Sequence, residues 1–213
     1  SMDAGLFGAR LGLDDAYRFA RGEQVMASSG QPAKLGRPLD WLVIADHSDG
    51  MGFFSDMAAG APDIIKYEQG KRWYAGLQKG GDASVAAALD LITTFSQGNI
   101  NPEMMAEYSP GGKIYKSIWE DVVDAAERFN DPGSFTAFIG FEWTSVPNGN
   151  NLHRNVIMRG DGAAARQILP MSDYDSQDAE DLWAWMADYE KKTGDRVLAI
   201  PHNGNLSNGL MFA

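Results

Sequence analysis

The sequence has no cysteine, which excludes every disulfide and every thiolate metal site. Histidine is scarce. Any imidazole chemistry must fall on His47, His153 or His202. Basic residues are also outnumbered, with 18 Lys and Arg against 29 Asp and Glu, for a net charge of −11. That balance argues against nucleic acid or an anionic membrane surface as a partner, because both are recognised by basic patches. A small, phosphorylated substrate is still admissible, since bound metal ions reverse a local field. No apolar run is long enough to span a bilayer, and the first residues lack the charged-then-apolar order of an export signal. No internal repeat or low-complexity tract is present.

What is there is the material of one domain. The 213 residues are 44% hydrophobic and 11% aromatic, enough to bury a substantial core. Residues 39–45 (LDWLVIA), 135–141 (FTAFIGF), 155–158 and 196–200 (RVLAI) are short, apolar and rich in β-formers, as expected of buried strands. Between them the spacing predicts helices near 13–21, 62–78 and 83–95, the last with Val85, Leu89 and Ile92 on one face and Asp82 at its cap. Ser117 and Glu120 have capping-box spacing ahead of the stripe Ile118, Val122, Ala125 and Phe129. A further helix is expected at 177–192. It has acids in its first turn, Lys191 and Lys192 in its last, and Gly194 just beyond. Strands alternating with amphipathic helices predict an α/β fold with a parallel sheet.

The polar chemistry collects where apolar strands stop. LDWLVIA runs into Asp46-His47-Ser48-Asp49, FTAFIGF into Glu142-Trp143-Thr144, and RVLAI into Pro201-His202-Asn203. His153 stands in PNGNNLHRN, just before another strand. Carboxyl ends of parallel strands form the functional face of such folds, and imidazole with carboxylate suits zinc, iron or manganese. Each residue alone has an ordinary structural reading. A lone histidine is commonly a satisfied core or surface group, Glu142 can cap the next helix, and Asp46 is either a turn residue or a partner orienting an imidazole. Taken together they point to a metal site built on His47, Glu142 and His202.

At the same residues the chain acquires a family likeness. WLVIADHSD, FIGFEWTS, NNLHRNVI and LAIPHNGNLSNGLMF resemble signature segments of the PHP (polymerase and histidinol phosphatase) superfamily. DAGLFGARLG and DAYRFARGE extend the likeness to a branch of large bacterial proteins catalogued as a domain of unknown function. The resemblance implies a distorted (β/α)7 barrel, here partial and spread over residues 1–213. It also implies two or three divalent ions (zinc, manganese or iron) and a phosphoesterase-like hydrolase acting on a small molecule in the bacterial cytoplasm or periplasm. By position it makes Asp3, His47, Glu142, His153 and His202 metal ligands, with Asp46 and Asn203 as supporting partners. Arg154 is then available to stabilise charge on a substrate. The superfamily's opening His-x-His falls before Asp3 and its closing Asp-x-His after Ala213. The resemblance therefore implies a fragment that holds part of the ligand set and is inactive alone. Two alternatives stay open: an amide or other ester hydrolase, and a non-catalytic binding or structural module.

Overall fold

The computed structural model describes residues 2–6 and 8–212, apart from the side chains of Met2 and Asp3. Helices α1 (Met2–Leu6) and α2 (Leu13–Ala20) lead into a small antiparallel ribbon of β1 (Val25–Met26) and β2 (Pro32–Ala33). Strand β3 (Trp41–Val43) is followed by α3 (Phe53–Ala59), α4 (Pro62–Ile65), α5 (Glu68–Lys79), α6 (Gly81–Ser96) and α7 (Pro102–Met105). The long α8 (Lys113–Phe129) then delivers the chain to β4 (Thr136–Trp143) and β5 (Arg154–Met158). Short α9 (Gly162–Ala165) and α10 (Ala179–Thr193) precede the last strand, β6 (Val197–Pro201).

Local chemistry explains most of these boundaries. Asp178 caps α10 by accepting the Glu180 N–H at 2.9 Å, and Gly194 closes the helix at φ 72°, where a side chain would be strained. The predicted helix over 62–78 is two helices, because Tyr67 is extended at φ −90° and ψ 141°. A Cβ on Gly70 would stand 2.2 Å from the Ile64 carbonyl oxygen, so α4 and α5 meet backbone to backbone. Helix α8 starts at Lys113 behind Gly112, which leaves Ser117 and Glu120 inside it and not at its cap. Glu120 instead accepts a hydrogen bond from Arg166 at 2.7 Å. Asp82 is likewise not a cap, since Gly80 holds that position. Helix α6 buries Ala88 and Leu91 and leaves Val85 and Leu89 exposed.

The sheet corrects the expected architecture. Among the described residues its order is β3-β4-β5-β6, and only β3 and β4 run parallel. Strand β5 is antiparallel to both β4 and β6, and no closed barrel forms. The structure is a mixed α/β sheet and not a (β/α)7 barrel. The physical reason lies in the connections. A parallel crossover needs a dozen or more residues, and the ten between β4 and β5 allow only a return beside the same strand. The longer link from β5 to β6 begins beside Met158 and ends at its partner Val197. It therefore goes out and back, and the strands stay antiparallel.

Strand alternation gives the sheet two unlike faces. Ala137, Ile139, Phe141 and Trp143 of β4, with Val156 and Met158 of β5, pack into a buried cluster with Trp119 and Val123 of α8 and Leu182 and Tyr189 of α10. The opposite face carries Trp41, Phe138, Ile157, Leu198 and Ile200, of which Trp41, Leu198 and Ile200 are exposed. A second cluster lies among the helices after β3 and includes Phe53, Phe54, Met57, Ile64, Trp73 and Leu91.

Candidate metal centre

The backbone fixes Glu142 and His47 before any side chain is considered. Past Val43 the chain continues beside β4, and His47 forms a parallel bridge with Glu142. The Glu142 N–H donates to the Asp46 carbonyl at 2.8 Å, and the Ser48 N–H donates to the Glu142 carbonyl at 2.8 Å. Period-two alternation then puts Glu142 and His47 on the open face of the sheet, away from α8 and α10. His153 precedes β5, whose reversed direction brings its start to this same edge. His202 follows β6 and arrives there too, its N–H donating to the His153 carbonyl at 3.3 Å.

The four side chains converge. His153 Nδ1 lies 2.8 Å from Glu142 Oε1, His202 Nε2 lies 3.0 Å from that oxygen, and His47 Nε2 lies 3.7 Å from Glu142 Oε2. One ligand atom each from His47, Glu142 and His153 falls within 4.8 Å of the others. All three residues are at most 9% exposed, whereas the His202 side chain is 31% exposed. Burial pushes the Glu142 carboxyl upward, but the hydrogen bond from His153 and the charges of His47, His153 and His202 prevail and hold it below its ordinary value. A carboxylate among imidazoles is therefore kept ionised.

These residues fit a divalent cation. His153 Nε2 and His202 Nδ1 are buried and lack a hydrogen-bond partner among the described residues, an uncommon state for a polar atom unless it serves a ligand. Nitrogen and carboxylate oxygen without sulfur suit zinc, manganese or iron. The His47–Glu142 separation is too long for a hydrogen bond and close to the roughly 3.4 Å between two donors of one tetrahedral ion. A cavity of about 340 Å³ opens beside His47, walled by Asp46, Met51, Ser55, Ile118 and Val122.

The other sequence candidates are placed as follows. Asp3 falls in α1, and its side chain lies outside the described residues. Asp46 contributes its carbonyl to the Glu142 N–H. Asn203 is exposed at φ 57°, and its carbonyl accepts the Leu206 N–H at 2.9 Å. Arg154 points to the packed face of the sheet. Its guanidinium sits 5.7 Å from the Trp143 ring and 5.2 Å from the Trp183 ring, and donates to the carbonyls of Leu152 and Met211.

Sequence reasoning gave no role to Ser48, Asp49, Thr144 and Asp173. Ser48 Oγ lies 2.7 Å from the Met171 carbonyl, tying the loop before α10 to the site. Asp49 is 2% exposed and accepts the Asp173 N–H at 2.7 Å. Burial and then the neighbouring Asp173 carboxyl raise Asp49 well above the ordinary carboxylate range. Thr144 Oγ1 lies 2.9 Å from His47 Nδ1. For Thr144 the only signal was its place two residues beyond Glu142 in the sequence.

Among the described residues, no helix is long and apolar enough to cross a membrane. No curated protein and no solved structure matches the chain. A family model does match, over residues 1–213, so the chain belongs to the family described as protein of unknown function (DUF3604).

Proposed function

We propose that His47, Glu142 and His153, with His202 adjoining, hold divalent metal, and that the protein is a metal-dependent hydrolase of phosphoesters. The observation that carries this reading is the convergence of a buried carboxylate and three imidazoles at one edge of the sheet. The quoted sequence segments support the choice of chemistry through their likeness to the PHP superfamily. A bound divalent ion supplies Lewis-acid polarisation of a substrate oxygen and acidifies water.

The chain's own residues prepare that chemistry. Glu142 brings negative charge that neutralises a cation, and its low proton affinity keeps it available. His47 and His153 are held by the strand pairing of their neighbours, so little ordering is left to be done on binding. Arg154 is committed to two carbonyls on the packed face, away from Glu142. The cavity beside His47 is of a size for a small substrate group.

The test is direct. The complete gene product carrying this sequence, purified without chelator, should contain zinc, manganese or iron and turn over members of a phosphomonoester and phosphodiester panel. Metal content without turnover of any phosphoester, alongside cleavage of amides or carboxylic esters, would replace the substrate class. No bound metal and no uptake of added zinc or manganese would remove the whole reading.

A further inference from the structure

We propose that the cavity beside His47 is the subsite for the organic part of the substrate, and that this part is apolar and carries no negative charge. The proposal rests on the reading of the neighbouring cluster as a metal centre for phosphoesters, and it names the kind of ester. The cavity lies past the end of β3, and α1, α2, α3 and α8 each give it a wall. Its volume is about 340 Å³, and His47 belongs both to its lining and to the candidate ligand group. Cavity and cluster therefore adjoin.

The wall decides what fits. Leu11, Leu13, Ile44, Met51, Ile118 and Val122 line the cavity, so a hydrocarbon group entering it leaves water for apolar surroundings. The carboxylates on the wall are those of Asp46 and Asp56, and among the described residues no lysine or arginine lines it. Asp56 accepts the Tyr108 hydroxyl at 2.8 Å, which leaves its negative charge in place. An anionic substituent here would meet like charge and lose its water with no cation in exchange. Arg10 lines a neighbouring cavity instead, where its Nη1 donates to the carbonyls of Gly5 and Ala9. An apolar cavity of roughly 150 Å³ takes a benzene ring, so this space has room for an aryl or branched alkyl group.

The experiment titrates phosphonates, which resist hydrolysis, into the zinc-loaded full chain by calorimetry. Benzylphosphonate should bind about 10–100-fold tighter than methylphosphonate, as burial of one aromatic ring predicts. The para-carboxylated benzylphosphonate should lose most of that gain. Ala16→Leu, which fills the cavity from α2, should bring benzylphosphonate down to the level of methylphosphonate with zinc uptake unchanged. Ser55→Arg, at an exposed position of α3 on the same wall, should instead favour the carboxylated ligand. Equal binding of methyl- and benzylphosphonate to wild type, or tightest binding of the carboxylated ligand, would overturn the proposal. Failure of the metal-centre reading looks different: the chain would take up no zinc and bind none of the phosphonates. Benzyl alcohol still decides the cavity in that case. It should shift the methyl signals of Ile118 and Val122 in NMR spectra of the metal-free chain, and unmoved signals would sink the subsite.

Discussion

His153 Nδ1 meets Glu142 Oε1 at 2.8 Å across an antiparallel strand pair, although one residue stands near the end of β4 and the other just before β5. The contact exists because β5 runs backward beside β4. In a parallel neighbour the start of the strand would lie at the far edge of the sheet. The reversal that breaks the expected parallel order therefore brings His153 to the candidate metal centre.

Glu142 is the hub of that centre, since all three imidazoles approach its carboxyl. Glu142→Gln removes the charge and keeps the shape. Zinc affinity should fall by more than the roughly 10–100-fold typical of an outer partner. Calorimetric titration of the purified variant checks this, and wild-type affinity would show that Glu142 is a structural carboxylate.

His153 and His202 touch the same oxygen but differ in setting. The His153 side chain is 9% exposed and belongs to the tight three-residue group, whereas that of His202 is 31% exposed and lies outside it. His153→Ala should therefore lower metal content more than His202→Ala. Elemental analysis of both variants, purified in parallel, decides the order.

Gly140 lies in the middle of β4 on the face that carries Glu142. A Cβ there would stand 2.5 Å from the Val156 carbonyl oxygen and 2.7 Å from Val43 Cγ2. Gly140→Ala must push β3 or β5 aside, with an overpacking cost of about 1–3 kcal/mol. Urea unfolding measures the loss. Metal affinity should fall with it, because β3 leads to His47 and β5 follows His153, both candidate ligands.

Alkaline pH should unfold the protein. Tyr17 is 1% exposed, and burial together with the charge of Asp46 pushes its phenol up to about 12 from the ordinary 10.0. Burial likewise raises Tyr108, Tyr115 and Tyr189. A raised folded-state value means that the contribution to stability is complete below pH 10 and is lost as pH climbs through the folded-state values. Phenolate absorbance and near-ultraviolet circular dichroism should change together above pH 10. Titration of all tyrosines with the fold intact would contradict the sign.

Much of this molecule was legible in its residues. The apolar runs mark β3 to β6 within a few positions, because burying a strand demands such side chains whatever its direction. Asp178 and Gly194 frame α10 for reasons local to the chain. The same locality put His47, Glu142 and His202 at strand ends. It could not give strand direction, which depends on which neighbour each strand pairs with and on how a connection returns. Capping chemistry also misled at Ser117 and Glu120, where packing of the α8 stripe carries the helix back to Lys113. The sequence by itself determined the strand segments, the frame of α10, the absence of thiol chemistry and the candidate residue types. Only the tertiary structure decided the mixed order of the sheet, the open face on which the candidate ligands meet, and the contact of Thr144 with His47, because each joins residues that the chain holds far apart.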